Sequence, residues 1–301
     1  MPAGLNPSIR EREIDDMSKQ FPAQHQERQP GIEQEMTPKP EIIRADYRGS
    51  GKLEGKKALI TGGDSGIGRT AAVHFAREGA DVAIVYLDEH ADAEETKQLV
   101  EAEGRQALLI SGDITDSAFC QQSVEQTLKA FGAINILVNN AAQQVVREDI
   151  TEIPDDEWRH IFDVNIHGYF YMTKAVRPHL QAGDTIINTT SINPFVGNAK
   201  LMAYTSTKGA ITGFTRSLSE ALVGEGIRVN EVAPGPIWTP IQPSTMGRFD
   251  PTLMETLGEK MPMGRAGQPS ELGPAYVFLA SKDASYISGH SLHINGGAII
   301  N

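Results

Sequence analysis

Short apolar runs alternate with helix-length amphipathic stretches from Lys56 onward, and this alternation constrains the fold more than any other feature of the sequence. Runs that are apolar at consecutive positions are typical of strands covered on both faces. Strands separated by helices indicate a parallel sheet with helices on both sides. The predicted strands are 57–61, 81–87, 106–111, 134–139, 184–190, 228–233 and 291–295, and the predicted helices are 68–78, 92–103, 117–131, 155–180 and 203–224. We therefore predict an α/β fold with a doubly wound parallel sheet.

Composition excludes several classes of partner. The 301 residues include 27 Lys and Arg against 39 Asp and Glu, which gives a formal net charge of −12. An acidic chain without a basic cluster is not expected to bind nucleic acid or an anionic membrane surface. No apolar run reaches the roughly 18 to 20 residues that cross a bilayer, and the amino end is charged where a secretory signal is apolar. A single cysteine, Cys120, fits a reducing compartment. These features predict a cytoplasmic protein.

The first 52 residues differ from the rest of the chain. They are rich in Pro, Gln, Glu and Arg, and such a segment cannot bury enough apolar surface to fold alone. It is either a disordered tail or an arm that lies over its own domain or over a neighbouring subunit. The apolar anchors of such an arm would be Ile14, Met17, Phe21, Ile42 and Ile43. We predict an arm over residues 1–52 and a single catalytic domain over 53–301, and we expect this domain to fold without the arm.

A glycine-rich turn follows the first predicted strand. The sequence Thr61-Gly-Gly-Asp-Ser-Gly-Ile-Gly68 leads directly into a helix. Its glycines permit a tight turn and a close approach of a pyrophosphate to the free amides at the helix start. The spacing is Gly-x-x-x-Gly-x-Gly and not the standard dinucleotide fingerprint. A tight turn without a ligand is the alternative interpretation.

Tyr204 and Lys208 are four residues apart in a helical stretch, so their side chains lie on one face. A neighbouring ammonium favours the phenolate and lowers the pKa of a tyrosine from its usual value near 10. The pair is therefore a candidate for general acid or base catalysis. Tyr and Lys are common on helices, so an isolated pair of this kind is more often without a catalytic role.

Taken together, the order and spacing of these features resemble the short-chain dehydrogenase/reductase family. The resemblance covers about residues 53–301. It includes the Thr61–Gly68 turn, Asp113, the Asn139-Asn-Ala motif, Asn165, Ser191, Tyr204 with Lys208, and Pro234-Gly235 followed by Ile237 and Thr239. Within the family, the chain is most similar to bacterial members with an amino-terminal extension that are grouped with glucose/ribitol dehydrogenases and general stress proteins. The resemblance implies a Rossmann fold.

The resemblance also implies a catalytic set. Tyr204 would exchange a proton with the substrate oxygen while hydride moves to or from the nicotinamide. Ser191 would hydrogen-bond the same oxygen. Lys208 would hold the ribose hydroxyls and lower the pKa of Tyr204, and Asn165 would position a water that links Lys208 to solvent.

The implied cofactor contacts are Gly62, Asp64, Ser65, Gly66, Ile67, Gly68, Tyr86, Leu87, Asp113, Ile114, Asn139, Ala141, Tyr204, Lys208, Pro234, Gly235, Ile237 and Thr239. NAD is predicted in preference to NADP. No Arg or Lys follows Tyr86 to pair with a 2′-phosphate, and the acidic residues Asp88 and Glu89 lie close by.

The predicted function is therefore an NAD(P)-dependent oxidoreductase that interconverts a carbonyl and an alcohol. A catalytically idle nicotinamide-binding regulator or scaffold is the alternative. The apolar segment 240–263 would suit a small aldehyde or ketone, whereas Gln143, Gln144, Asn193 and Asn198 would suit a polyol or sugar. The resemblance further implies a homotetramer, and no histidine spacing indicates a metal site.

Overall fold

The computed structural model describes residues 21–300 and contains a seven-stranded sheet in which every neighbouring pair is parallel. The strands are β1 (Lys57–Thr61), β2 (Asp81–Tyr86), β3 (Ala107–Ser111), β4 (Ile136–Asn139), β5 (Thr185–Thr189), β6 (Arg228–Pro234) and β7 (Ser291–Ile294). Their order in the sheet is β3-β2-β1-β4-β5-β6-β7. The strand order reverses between β1 and β4, which is the place where folds of this kind bind ligands. The predicted doubly wound α/β fold is confirmed.

Seven helices of eight or more residues connect the strands in the described part of the chain. They are α1 (Gly66–Arg77), α2 (His90–Ala102), α3 (Ser117–Phe131), α4 (Asp155–Phe162), α5 (Gly168–Val176), α6 (Met202–Leu222) and α7 (Gly273–Ala280). Shorter helical segments are Glu33–Glu35, Ile150–Glu152, Arg177–His179, Asn193–Val196, Val223–Glu225, Gln242–Met246, Gly247–Phe249, Pro251–Met254, Pro269–Glu271 and Lys282–Ala284. Helix α3 has the expected bounds because Asp116 caps its first turn and Gly132, with φ +78°, ends it.

The single helix predicted over residues 155–180 is interrupted. A π-helical turn, Asp163–His167, separates α4 from α5, and a 3₁₀ turn that contains Pro178 ends the segment. Helix-period apolar spacing does not reveal a local π-turn, which adds one residue to a turn. Asn165 lies in this turn and is fully buried.

Two apolar layers enclose the sheet. On one face α1, α2 and α7 pack through side chains such as Phe75, Val100 and Tyr276. On the other face α3, α5 and α6 pack through side chains such as Val124 and Met172. Both faces of the sheet are thus covered, and its carboxyl edge remains as the place for a cleft.

The arm lies over its own domain in the part that the structure describes. Phe21 is buried and stacks on Trp238, with ring centroids 3.8 Å apart and an interplanar angle of 5°. These rings belong to a small apolar cluster that also contains Met36, Met254 and Ala266. Of the other proposed anchors, Ile42 and Ile43 are half-buried, and Ile14 and Met17 lie outside the described residues.

Candidate active site

A cavity of about 660 Å³ opens at the carboxyl ends of the strands. It extends from the residues after β2 and β3 to the start of α6. Most of the residues that the sequence predicted for catalysis or cofactor binding line it: Gly62, Asp64, Ser65, Gly66, Ile67, Tyr86, Leu87, Asp113, Ile114, Ala141, Ser191, Tyr204, Lys208, Pro234, Gly235, Ile237 and Thr239. One continuous space therefore contains both groups.

Three predicted site residues do not line this cavity. Gly68 packs against the turn before α1, because a Cβ there would lie 1.8 Å from the Gly62 carbonyl oxygen. The Asn139 side chain is buried and donates to Thr173 and Asn188 at 3.0 and 2.9 Å, whereas the next residue, Asn140, reaches the cavity. Asn165 is the third, and its contacts place it behind the wall.

Asn165 fastens the loop after β4 to α6. Its Oδ1 accepts from the Gln143 amide at 2.8 Å, and its Nδ2 donates to the Gln143 carbonyl at 2.9 Å and to Thr207 Oγ1 at 3.0 Å. Both polar atoms of the Asn165 side chain thus have hydrogen-bond partners within the chain. These contacts show that Asn165 fixes the backbone of the loop that forms one wall of the cavity.

The glycine-rich turn presents the amino end of α1 to the cavity. Gly66 has φ +51°, and a Cβ there would lie 3.0 Å from Thr239 Cγ2. Ser65 precedes the helix without a side-chain cap hydrogen bond, so it does not fill the helix terminus. At the helix start the Gly66 amide already donates to Glu33 Oε2 at 2.6 Å. The turn and the length of the cavity fit a dinucleotide with its pyrophosphate near Ile67.

Ser191, Tyr204 and Lys208 converge at the opposite end. Ser191 follows β5, its Oγ accepts from the Asn193 amide at 3.1 Å, and it lines the cavity beside Tyr204. Lys208 Nζ lies 5.4 Å from the centre of the Tyr204 ring and donates to the Thr189 carbonyl at 2.8 Å. Strand β5 and helix α6 thus bring a hydroxyl, a phenol and an amine to one point.

The expected lowering of the Tyr204 pKa is wrong for this state of the site. Burial raises the pKa of Tyr204 to about 12, and the hydrogen bond from Ser191 only partly opposes this rise. Burial also lowers the pKa of Lys208 to about 7, against the attraction of the buried Glu231 carboxylate. A lysine that readily gives up its charge cannot strongly stabilise a phenolate, and sequence spacing does not report this desolvation.

The arm contributes to the cavity wall, which the sequence did not predict. Gln29, Pro30 and Gly31 line the cavity. Gln29 donates to the Gln144 carbonyl at 2.9 Å and accepts from the Gln144 amide at 3.2 Å. These residues are 115 positions apart, so no local pattern could have revealed the contact.

The rest of the lining is mixed in polarity. Gln143, Gln144, Asn193 and Asn198 all reach the cavity, as expected. Gln143 Oε1 has no hydrogen-bond partner among residues 21–300. His160, Val196, Met246, Leu257 and Met261 also contribute. The wall near Tyr204 therefore offers both amide groups and apolar surface to a substrate.

Residues 21–300 contain neither a metal-binding cluster nor a membrane-spanning helix. No group of three or more His, Cys, Asp or Glu side chains in that range is arranged to hold a metal ion. None of its helices combines the length and the apolar character needed to span a bilayer. Cys120 is buried and donates to the Ile114 carbonyl, and burial raises the pKa of its thiol.

Comparison with known proteins extends these observations. A family model described as "Enoyl-(Acyl carrier protein) reductase" matches residues 62–298. General stress protein 39 of Bacillus subtilis is 54% identical over 94% of this chain and 98% of its own length. Glucose and ribitol dehydrogenase of Daucus carota is 49% identical over 94% and 98% of the two chains. NADPH-dependent aldehyde reductase 1, chloroplastic, of Arabidopsis thaliana is 46% identical over 92% and 98%.

Solved structures agree with these relatives. A short-chain dehydrogenase from Burkholderia cenocepacia J2315 in complex with NADP has a TM-score of 0.76 and 31% identity, and the match covers 82% of this chain and 98% of that one. A 3-ketoacyl-(acyl-carrier-protein) reductase from Brucella melitensis complexed with NADH has a TM-score of 0.73 and 33% identity over 81% and 98%. The resemblance to general stress proteins and glucose/ribitol dehydrogenases is confirmed. The chain belongs to the short-chain dehydrogenase/reductase family and is an oxidoreductase of that type.

Proposed function

We propose that this chain is an NAD(P)-dependent oxidoreductase that interconverts a carbonyl and an alcohol, with Tyr204 as the general acid and base. The observation that carries the proposal is the convergence of Ser191, Tyr204 and Lys208 in the cavity that also receives the amino end of α1. A group that exchanges protons and a site that fits a dinucleotide thus share one space. Hydride transfer needs both.

A bound nicotinamide dinucleotide would supply or accept the hydride. Side chains of the protein then transfer the proton and stabilise the charge that develops on the substrate oxygen. Tyr204 donates its phenolic proton to that oxygen in reduction and removes a proton in oxidation. Ser191 donates a hydrogen bond to the same oxygen as negative charge develops.

Lys208 has the role of adjusting the proton affinity of Tyr204. Because its pKa lies near 7, a small change in its surroundings changes how much positive charge it carries. Ribose hydroxyls that hydrogen-bond to Nζ would favour the ammonium and would thereby make Tyr204 a better acid. Asn165 supports this pair by fixing the loop beside it, and the water that the sequence assigned to it remains a prediction.

The remaining cofactor contacts follow the cavity. Tyr86, Leu87, Asp113 and Ile114 would enclose the adenosine, while Ile237 and Thr239 would face the carboxamide. Relatives and neighbours whose names include a cofactor mention NADPH, NADP or NADH. The preference for NAD remains a prediction, and it rested on the absence of a cation beside Asp88 and Glu89.

The substrate proposed here is an aldehyde, ketone or sugar with its alcohol counterpart. Gln143 lines the cavity, and its buried Oε1 lacks a hydrogen-bond partner among residues 21–300, which favours a substrate that brings hydroxyl donors. Met246, Leu257 and Met261 would pack against an apolar part. A panel of sugars, polyols, aldehydes and ketones with each cofactor separates these classes.

The experiment that tests the function replaces Tyr204 by Phe. We expect turnover of any accepted substrate to fall by about 10² to 10⁴, which is the usual contribution of general acid-base catalysis. Binding of NADH or NADPH, followed by fluorescence, should weaken far less than turnover. Tyr286→Phe is the matched control, because Tyr286 is fully exposed.

Retained turnover in Tyr204→Phe would contradict the assignment of the proton carrier. Tight dinucleotide binding by the wild-type protein with no turnover across the whole panel would instead support a nicotinamide-binding regulator or scaffold. These two results are distinct, since the first changes one residue's role and the second changes the class of function.

A further inference from the structure

The arm brings an arginine to the acidic end of β2. Arg28 Nη2 donates to Asp88 and, at 2.5 Å, to Glu89 Oε1. Its Nε donates to the Pro30 carbonyl at 3.1 Å. Its Nη1 has no hydrogen-bond partner within residues 21–300. A guanidinium has five N–H donors in a fixed plane, so Arg28 retains donors for a further anion.

Arg28 lies between two groups of residues that line the cavity. Leu87 and Glu89 line the cavity after the end of β2, and Gln29 and Pro30 line it from the arm. In folds of this type, the residues after the second strand face the adenosine ribose. An acid there binds the ribose 2′-hydroxyl, whereas an arginine accommodates a 2′-phosphate. Arg28 does not itself line the cavity, but it contacts Glu89, which does, and so it lies beside the point where NAD and NADP differ.

We propose that Arg28 is a cofactor-specificity residue, which neutralises Asp88 and Glu89 and provides donors to a 2′-phosphate, so that the chain accepts NADP as well as NAD. The proposal rests on the proposed function, because it needs a dinucleotide in this cavity. The residues that follow the second strand are Leu87, Asp88, Glu89 and His90, and none of them is Arg or Lys. Arg28 supplies the cation instead, although it lies 60 positions before Asp88 and 61 before Glu89.

The arm around Arg28 is held at a fixed place. Gln26 accepts from the Ile32 amide at 2.7 Å and donates to the Ile32 carbonyl at 2.8 Å, which closes residues 26–32 into a loop. The Gln29 side chain is hydrogen-bonded to the backbone of Gln144. These contacts fix the backbone on both sides of Arg28, so its guanidinium is presented by an ordered loop.

Glu33 fastens the same loop to α1. Its Oε2 accepts from the Gly66 amide at 2.6 Å, and its Oε1 lies 2.6 Å from Arg69 Nη1. The Glu33 amide donates to Asp92 Oδ2 at 2.6 Å. Glu33 and Arg69 are both buried, so this anchor is protected from solvent and salt. These contacts attach the arm firmly to the domain beside the cavity.

The test compares Arg28→Gln with wild type by direct binding of NADPH and NADH to the full chain. We expect the ratio of NADPH affinity to NADH affinity to fall by about tenfold, the effect of losing one hydrogen bond to a charged group. Adenosine 2′,5′-bisphosphate and AMP, which differ only in the 2′-phosphate, should show the same fall in their affinity ratio. Arg28→Lys should keep more of the ratio, because it keeps the charge.

Two further variants complete the test. Asp88→Asn should raise the NADPH to NADH ratio, because it removes a negative charge beside the 2′-position. Arg48→Gln is the matched control, since Arg48 is an exposed arm arginine whose Nη1 bonds only to the Ala45 carbonyl at 2.8 Å among described residues. It should leave the ratio unchanged.

Equal loss of affinity for both cofactors in Arg28→Gln would overturn the proposal, because Arg28 would then only hold the arm in place. An unchanged ratio would overturn it as well. Both results leave the proposed function standing, since the wild-type protein binds a dinucleotide in each. If the wild-type protein bound neither cofactor, the proposed function and this proposal would both be overturned.

Discussion

The two ends of the cavity are built in different ways. The Tyr204 end, formed by Ser191, Tyr204 and Lys208, contains groups whose charged forms are disfavoured by burial. The Arg28 end, formed by Arg28, Asp88 and Glu89, places two carboxyl groups around one guanidinium. Burial and the adjoining Asp88 raise the pKa of Glu89, whereas hydrogen bonds from Glu89 and Arg28 lower the pKa of Asp88.

The difference reflects where each end obtains its residues. Strand β5 and helix α6 follow one another in the chain and supply the whole Tyr204 end. The Arg28 end joins β2 to an arm that precedes the sheet. Chemistry at the first end is fixed by the fold, whereas selectivity at the second depends on an appended segment. Substitutions at each end and in the arm test whether the two ends of the cavity act independently.

The largest effect is expected at the Tyr204 end. Ser191→Ala removes a donor to the substrate oxygen and should lower kcat by about 10² to 10³. Cofactor affinity, measured by fluorescence, should change much less. Ser206→Ala is the matched control, because Ser206 is an exposed serine of α6 whose hydroxyl bonds to the Met202 carbonyl. An equal loss in both variants would mean that the effect does not come from a hydrogen bond between Ser191 and the substrate oxygen.

The second prediction concerns the arm. Phe21→Ala removes the ring that stacks on Trp238 and should lower the free energy of unfolding by about 3 kcal/mol, as for other buried aromatic side chains. Urea denaturation measures this value. Phe249→Ala, at a ring that is 42% exposed, should cost much less. A loss below about 1 kcal/mol for Phe21→Ala would show that the arm contributes little, and the isolated domain 53–301 would then be expected to fold unaided.

Sequence reasoning named the three residues of the Tyr204 end but none of the contacts made by Arg28. Helical spacing pairs Tyr204 with Lys208, and the family resemblance implies Ser191; all three residues line the cavity. The contacts of Gln29, Arg28 and Glu33 join residues far apart in the chain, and no period or motif specifies them. The pKa of Tyr204 was also mispredicted, because it depends on burial and not on spacing.

The third prediction tests the desolvation of Lys208. Its pKa falls from 10.5 to about 7 on folding, so between these values the unfolded chain binds more protons than the folded one. Stability should therefore rise with pH in this window and be lost as pH falls towards 7. Relative to Lys208→Met, wild type should gain up to about 1.4 kcal/mol per pH unit. Denaturation at pH 7, 8 and 9 measures the difference.

Lys174→Met serves as the control for this series, because Lys174 is an exposed lysine on α5. Its difference from wild type should not depend on pH. If the profiles of Lys208→Met and wild type were parallel, Lys208 would be fully charged in the folded protein. The Tyr204 end would then carry a full positive charge, as the Arg28 end does on its guanidinium, and the contrast between the two ends would disappear.

The smallest effect is expected at Glu33, which anchors the arm. Burial raises its pKa from 4.5 to about 7, although Arg69 and the Gly66 amide oppose the rise. Between these values the folded chain binds more protons, so the stability that Glu33 contributes is present below 4.5 and is lost as pH rises through 7. Glu33→Gln cannot titrate and should flatten this decline, whereas the exposed Glu35→Gln should not. Denaturation between pH 5 and 8 measures the slope. A wild-type slope equal to that of Glu33→Gln would mean that Arg69 keeps Glu33 ionised throughout, and the anchor of the arm would then be a permanent ion pair, insensitive to pH.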